Sequence, residues 1–133
     1  MKKKRLLDSY ALLAYLKRED KYQQVIELLK SSSEDNFLIM NEINIGESYY
    51  IIARERNSEQ AEYFATTILP NLPIYIISNS FDQIIEASRI KAKYPISYGD
   101  CFAVATAIRE NATIVTGDPE FKKVDKLVEI EWL

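Results

Sequence analysis

Ser97-Tyr-Gly-Asp-Cys-Phe-Ala-Val-Ala-Thr-Ala-Ile-Arg-Glu-Asn-Ala-Thr-Ile-Val-Thr-Gly-Asp-Pro-Glu-Phe121 places an acid at the start of an apolar helix, a short strand after it, and a second acid just past the strand. Cys101, Val104, Ala105 and Ile108 keep the i, i+3, i+4, i+7 spacing of one helical face. Phe102, Ala103 and Ala107 cover the flanks, and a helix apolar nearly all round is a buried one. Asn111 ends it. Thr113 to Thr116 is a β-rich run closed by Gly117 and Pro119, the pattern of a short buried strand. Asp100 and Asp118 are therefore expected at the edge of the core, not out on the surface.

Outward from this stretch, strands and helices alternate. Residues 4–7 read as a strand delivering Asp8, and residues 9–18 carry Leu12, Leu13 and Leu16 at helical spacing. A second amphipathic helix covers residues 21–31, and residues 37–40 form a compact strand. Asn41 is suited to cap a helix over residues 42–56. Residues 58–69 read as helix, residues 74–77 as strand, and residues 80–93 as a helix with Phe81, Ile84 and Ile85 facing inward. Val128, Ile130 and Trp132 alternate with Glu129 and Glu131, which marks a half-buried last strand. Strands separated by helices imply an α/β fold around a mostly parallel sheet. Such sheets bind ligands at the carboxyl ends of their strands, and Asp8 and Asp118 each stand at such an end.

At 133 residues the chain is long enough for one ordinary domain, expected over residues 1–133. It has no apolar run of membrane-spanning length, and Asp8 and Ser9 interrupt the opening before a signal-peptide core is complete. The lone Cys101 excludes an internal disulfide and fits a reducing, cytoplasmic setting. There is no histidine at all. That excludes Ser-His-Asp and Cys-His nucleophiles and every His-containing metal site, so any chemistry rests on carboxylates, hydroxyls and amines. A net charge of −3 does not recommend nucleic acid as a partner, although acids that hold a cation inflate the negative count.

Each acid has an ordinary alternative. Asp8 is a good helix N-cap, Ser97 and Asp100 have the spacing of a capping box, and Asp118 sits in a Gly-Asp-Pro turn. Glu120 follows in that turn as a solvated acid, and Glu42 belongs to a first helical turn. Glu47 lies between Ile43 and Ile51 and interrupts an apolar stripe, which is costly unless something pairs it; Arg54 is the structural candidate. Gathered together, the four acids Asp8, Glu47, Asp100 and Asp118 would stay ionised only around a cation, and oxygen ligands favour Mg²⁺ or Mn²⁺.

The chain resembles the PIN-domain ribonucleases, and within them the VapC-like toxins of type II toxin–antitoxin pairs. The resemblance rests on Leu-Leu-Asp-Ser-Tyr-Ala-Leu-Leu-Ala-Tyr-Leu at residues 6–16 and Asn-Ile-Gly-Glu-Ser-Tyr-Tyr-Ile-Ile at residues 44–52. It continues in Ser-Tyr-Gly-Asp-Cys-Phe-Ala-Val-Ala-Thr-Ala at residues 97–107, Thr-Gly-Asp-Pro-Glu-Phe at residues 116–121 and the ending Ile-Glu-Trp-Leu. By that resemblance Asp8, Glu47, Asp100 and Asp118 match the family's metal-binding acids, Glu47 directly or through water. Ser9 and Thr116 match polar positions beside them, with Glu120 as a further contributor.

The implied fold is a three-layer α/β/α sandwich around a five-stranded sheet of order 3-2-1-4-5. The implied activity is Mg²⁺- or Mn²⁺-dependent endoribonuclease, hydrolysing RNA with a metal-activated water. RNA, a cognate antitoxin and a second copy of the chain are the implied partners, with no membrane. Lys2, Lys3, Lys4 and Arg5 read as a solvated start in preference to phosphate contacts, and Tyr10, Tyr49, Tyr50 and Tyr98 as core in preference to base-stacking surfaces. Tyr15 and the first two helices are a candidate groove for an antitoxin segment. Two rivals stand beside this reading. A phosphatase acting through an aspartyl phosphate wants a second Asp two residues after the first, where Tyr10 stands; a non-catalytic RNA- or protein-binding module gives no reason to group four acids.

Overall fold

The computed structural model describes residues 3–133; Met1 and Lys2, and with Lys2 part of the basic start, lie outside the described residues. Five strands form one sheet: β1 (Lys3–Leu7), β2 (Asn36–Asn41), β3 (Tyr75–Ile77), β4 (Thr113–Thr116) and β5 (Ile130–Trp132). Their order is β3-β2-β1-β4-β5 and every pairing is parallel, so the expected order holds and the sheet is more uniform than expected. The order reverses at β1, whose neighbours are β2 and β4.

Among the described residues six α-helices flank the sheet: α1 (Ser9–Leu16), α2 (Tyr22–Lys30), α3 (Glu42–Glu55), α4 (Ser58–Tyr63), α5 (Phe81–Lys93) and α6 (Tyr98–Glu110). Consecutive strand residues point to opposite faces, and the core divides accordingly. Leu6, Ile39 and Ile114 pack on one side with Val104 of α6 and Ala87 of α5. Leu7, Met40 and Val115 pack on the other with Leu12 of α1, Ile52 of α3 and Ala61 of α4. Sheets covered on both faces are built of continuous apolar runs, which is why β1, β2 and β4 read as short blocks of Leu, Ile and Val. The result is the expected three-layer sandwich.

Four local expectations are corrected. The helix over residues 58–69 stops at Tyr63 and continues as a π-helical turn over Phe64–Ile68 and a 3₁₀ turn over Leu69–Asn71. Pro70 explains why a regular α-helix cannot run through, since its ring clashes with the preceding turn. Phe81, expected to face inward, is 74% exposed at the first position of α5, and the buried residue of that helix is Ala87. Ile108 is 51% exposed, although Gly99 to Ala107 of the same helix are buried. Asn111 ends α6 in the left-handed region at φ 53°, where Asn is better tolerated than most residues. The fourth correction concerns the tyrosines: Tyr10, Tyr50 and Tyr98 are exposed, and Tyr49 is half-buried with its hydroxyl on Glu62 at 2.8 Å.

At the amino end of β1, Lys4 pairs with Glu110 at 3.1 Å and Arg5 with Glu131 at 2.9 Å. Four residue steps along the strand take Lys4 to Asp8, roughly 13 Å at strand rise. These cations therefore belong to the opposite end of the sheet from the acids.

Candidate active site

Asp8 leaves β1 in an extended conformation and is the helix N-cap that its sequence position offered. Its Oδ1 accepts the Ala11 N–H at 2.9 Å and caps α1, while its Oδ2 accepts the Thr116 hydroxyl at 2.5 Å. The side chain is almost wholly buried. Thr116, at the end of β4, also accepts the Asp118 N–H on its Oγ1 at 3.0 Å, so one hydroxyl ties the two acid-bearing strand ends together. Asp118 in turn accepts the Glu120 N–H at 3.0 Å and caps the 3₁₀ turn Pro119–Val124. Between them Gly117 has no side chain because Tyr10 lies across it; a Cβ there would run into the Tyr10 ring.

Asp100 enters from the first turn of α6 and is 8% exposed. Ser97 caps that helix, its Oγ accepting the Asp100 N–H at 3.1 Å. Glu47 comes from α3 and lies against Gly99, where an added Cβ would strike its carboxylate. Its Oε1 accepts from the Asn44 amide at 2.8 Å, and the Ser9 side chain is near enough to favour the ionised carboxylate.

The buried side of α3 differs from the expected one. It is Asn44, Ser48 and Ile52, one position round from the Ile43–Glu47–Ile51 stripe, and Glu47 is half-buried at its edge. Arg54 does not pair Glu47: its guanidinium lies 5.2 Å from the Tyr50 ring centre, and no cation pairs with Glu47 among the described residues.

The outer acids are set differently. Glu120 is exposed and pairs with Lys123 at 2.6 Å. Glu42 accepts the Asn79 N–H at 3.0 Å and stays with the loop after β3.

Burial and mutual repulsion act together on the inner acids. Burial pushes the Asp8 carboxyl up to about 7, with Asp100 and Asp118 adding repulsion against the lowering hydrogen bonds from Thr116 and Ala11. Burial likewise raises Asp100 to about 6, helped by Asp118, Glu47 and Glu120 and opposed by Ser97. Glu47 is raised by burial, against the hydrogen bond from Asn44 and the nearby Ser9 side chain. Asp8, Asp100 and Asp118 thus share one field, with Glu47 and Glu120 reaching it through Asp100. Among the described residues no group of three or more is drawn close enough to hold an ion as it stands. The chemistry of the donors does fit a hard divalent cation: all are carboxylate oxygens, two are deeply buried, and a positive charge would relieve both the burial cost and the repulsion.

Asn44 is the site-facing residue that the sequence did not announce. The signal for it was its place three residues before Glu47, on the same helical side.

A parallel sheet of order 3-2-1-4-5 with helices on both faces, and with Asp8 and Asp118 just past the carboxyl ends of its central strands, defines a PIN-type α/β domain. The chain belongs to the PIN-domain family, whose profile matches residues 5–127. Solved structures share the fold. VapBC2 from Rickettsia felis, bound to a DNA fragment from its promoter, superposes with a TM-score of 0.75 at 21% identity over 98% of both chains. VapC20 from Mycobacterium tuberculosis, a sarcin–ricin loop cleaving toxin, gives 0.76 at 14% identity, over 90% of this chain and 94% of its own. VapBC-1 from nontypeable Haemophilus influenzae gives 0.73 at 16% identity over 97% of both. No curated protein sequence matches the chain. Among the described residues no helix is long and apolar enough to cross a membrane.

Proposed function

We propose that the chain is a divalent-metal-dependent endoribonuclease of the VapC type, the toxin of a toxin–antitoxin pair, with Asp8, Glu47, Asp100 and Asp118 as its catalytic acids. The observation that carries this reading is the burial of Asp8 and Asp100, with Asp8 tied through the Thr116 hydroxyl to the backbone of Asp118 beyond the end of β4. A binding module has no use for that cost. Asp8, Asp100 and Asp118 would hold Mg²⁺ or Mn²⁺, with Glu47 a ligand directly or through water. When bound, such a cation supplies the charge that activates a water and offsets negative charge building on the scissile phosphate.

The remaining groups orient these acids. Thr116 fixes the Asp8 carboxylate and the Asp118 backbone, and Ser9 steadies Glu47. Glu120, committed to Lys123, acts through its charge on Asp100. Tyr10 and Tyr98, each close in sequence to one of these acids, are more than 40% exposed and offer faces on which RNA bases can stack. Tyr10→Ala is expected to raise KM for RNA roughly tenfold with kcat nearly unchanged, measured by initial rates across substrate concentration.

A cognate antitoxin and a second copy of the chain are the proposed protein partners, a reading supported by the VapBC complexes that share the fold. Tyr15 is stacked on Tyr22 with ring centres 5.8 Å apart. The groove beside α1 instead has an apolar floor that includes Leu16, Ile52 and Phe64, with Lys17, Arg56 and Gln60 also lining it. The lone buried Cys101 fits action in a reducing cytoplasm.

The test is cleavage of a mixed RNA pool by the purified chain, freed of any partner, with Mg²⁺, with Mn²⁺ and with chelator. Cutting that needs either metal and stops in chelator is expected. Equal cutting in chelator would remove the metal from the reading.

A further inference from the structure

We propose that Asn44 is a positioning residue that sets the Glu47 carboxylate against the start of α6, an inference that rests on the nuclease reading above. Asn44 is fully buried in the first turn of α3. Its Nδ2 donates twice, to Glu47 Oε1 at 2.8 Å and to the Gly99 carbonyl at 3.0 Å. Those acceptors belong to different elements, and Gly99 immediately precedes Asp100. One amide therefore fixes where the acid of α3 stands relative to the acid of α6.

Only an NH₂ group offers two donors on one atom in this geometry. Turned over, the amide would set its oxygen against a carboxylate and a carbonyl. The orientation that serves Glu47 leaves Asn44 Oδ1 buried with no hydrogen-bond partner among the described residues. A buried acceptor without a partner weakens a fold. Asn44 thus leaves its own oxygen without a partner while both of its donated bonds hold Glu47 against Gly99, a local conflict that belongs to site residues more than to core residues. Gly99 completes the arrangement by having no Cβ where the carboxylate rests.

The prediction separates a positioning role from a structural one. Leu has nearly the shape of Asn and no polar atoms, so Asn44→Leu removes both the donors and the orphaned oxygen. We expect the metal-free variant to fold and to melt near the native temperature, because losing the orphaned oxygen and losing a donor to Glu47 Oε1 and the Gly99 carbonyl act in opposite directions. Its affinity for Mn²⁺, measured by calorimetric titration of the intact chain, should fall about 10- to 100-fold, the usual loss when a group orienting a metal ligand is removed. Because Asn44 acts through Glu47, Asn44→Leu should add no further loss in a Glu47→Gln background.

Native Mn²⁺ affinity in Asn44→Leu, beside weakened binding in Glu47→Gln, would overturn the positioning role and leave the nuclease reading standing. Additive losses in the double variant would overturn it as well. No Mn²⁺ binding by the native chain would remove the nuclease reading and this inference with it. Should Asn44→Leu fail to fold, Asn44→Ser, too short to reach both acceptors, takes its place in the same cycle with the same outcomes.

Discussion

Asp100→Asn is expected to cleave RNA about a thousandfold more slowly than the native chain while melting no lower in the absence of metal. Asn has the same size, and the cap of α6 survives because Ser97 bonds the backbone N–H of residue 100, not its side chain alone. Two electrostatic effects compete in the fold. A negative charge in the first turn of a helix is favoured by about 0.3–1 kcal/mol. Against it stand burial and repulsion from Asp118, Glu47 and Glu120, which raise this carboxyl from 3.8 to about 6. Even discounted for partial solvent access, that opposition is worth about 1–2 kcal/mol and outweighs the dipole. Removing the charge should therefore cost activity and spare stability. Single-turnover cleavage with Mg²⁺ and a thermal melt in chelator check both halves. A variant that keeps more than a tenth of the native rate would take Asp100 out of the catalytic set.

The second large effect is on stability as a function of pH. Asp8 is held at about 7 in the folded chain, against its ordinary value of 3.8. The folded state therefore keeps a proton that the unfolded state gives up, and the metal-free chain loses stability as pH rises between about 4 and 7. At the usual value per pKa step, the loss is about 4 kcal/mol, comparable with the whole stability of a marginal domain. Denaturant unfolding in chelator at pH 5 and at pH 7.5 should show the drop. Asp8→Asn, which preserves the cap on α1 through its amide oxygen, should remove most of it and leave the smaller slope that Asp100 contributes below about pH 6. Saturating Mn²⁺ should offset the loss in the native chain and much less in the variant, because only a bound cation favours the ionised form. An Asp8→Asn chain with the native pH dependence would mean that Asp8 is not the group responsible.

Much of this site could be read before the fold was known. Asp8, Asp100 and Asp118 lie at changes of hydrophobic period, where a strand ends or a buried helix begins, and a parallel sheet brings such positions to one edge. The three layers follow from the same pattern, since apolar pairs such as Leu6–Leu7 and Ile114–Val115 leave no polar face on the strands. Glu47 was readable as an acid out of place. Its surroundings were not: whether the buried side of α3 runs through Ile43 or through Asn44 depends on how far the helix is rotated against α6.

Phe81 and Ile108 show the same limit, because periodicity gives a helix its apolar stripe but not the point at which its neighbour stops covering it. The Thr116 hydroxyl between Asp8 and Asp118 joins residues 108 positions apart, and the Asn44 amide joins α3 to Gly99 across 55. The sequence by itself determined the strand–helix alternation, the apolar blocks of the central strands, the absence of histidine chemistry and which acids stand at strand ends and helix starts. Tertiary structure alone decided which polar groups bridge those acids and how deeply each is buried. The reason is physical: hydrophobic period is a local property of the chain, whereas a hydrogen bond between distant residues and the field of one carboxylate on another exist only once packing has brought them together.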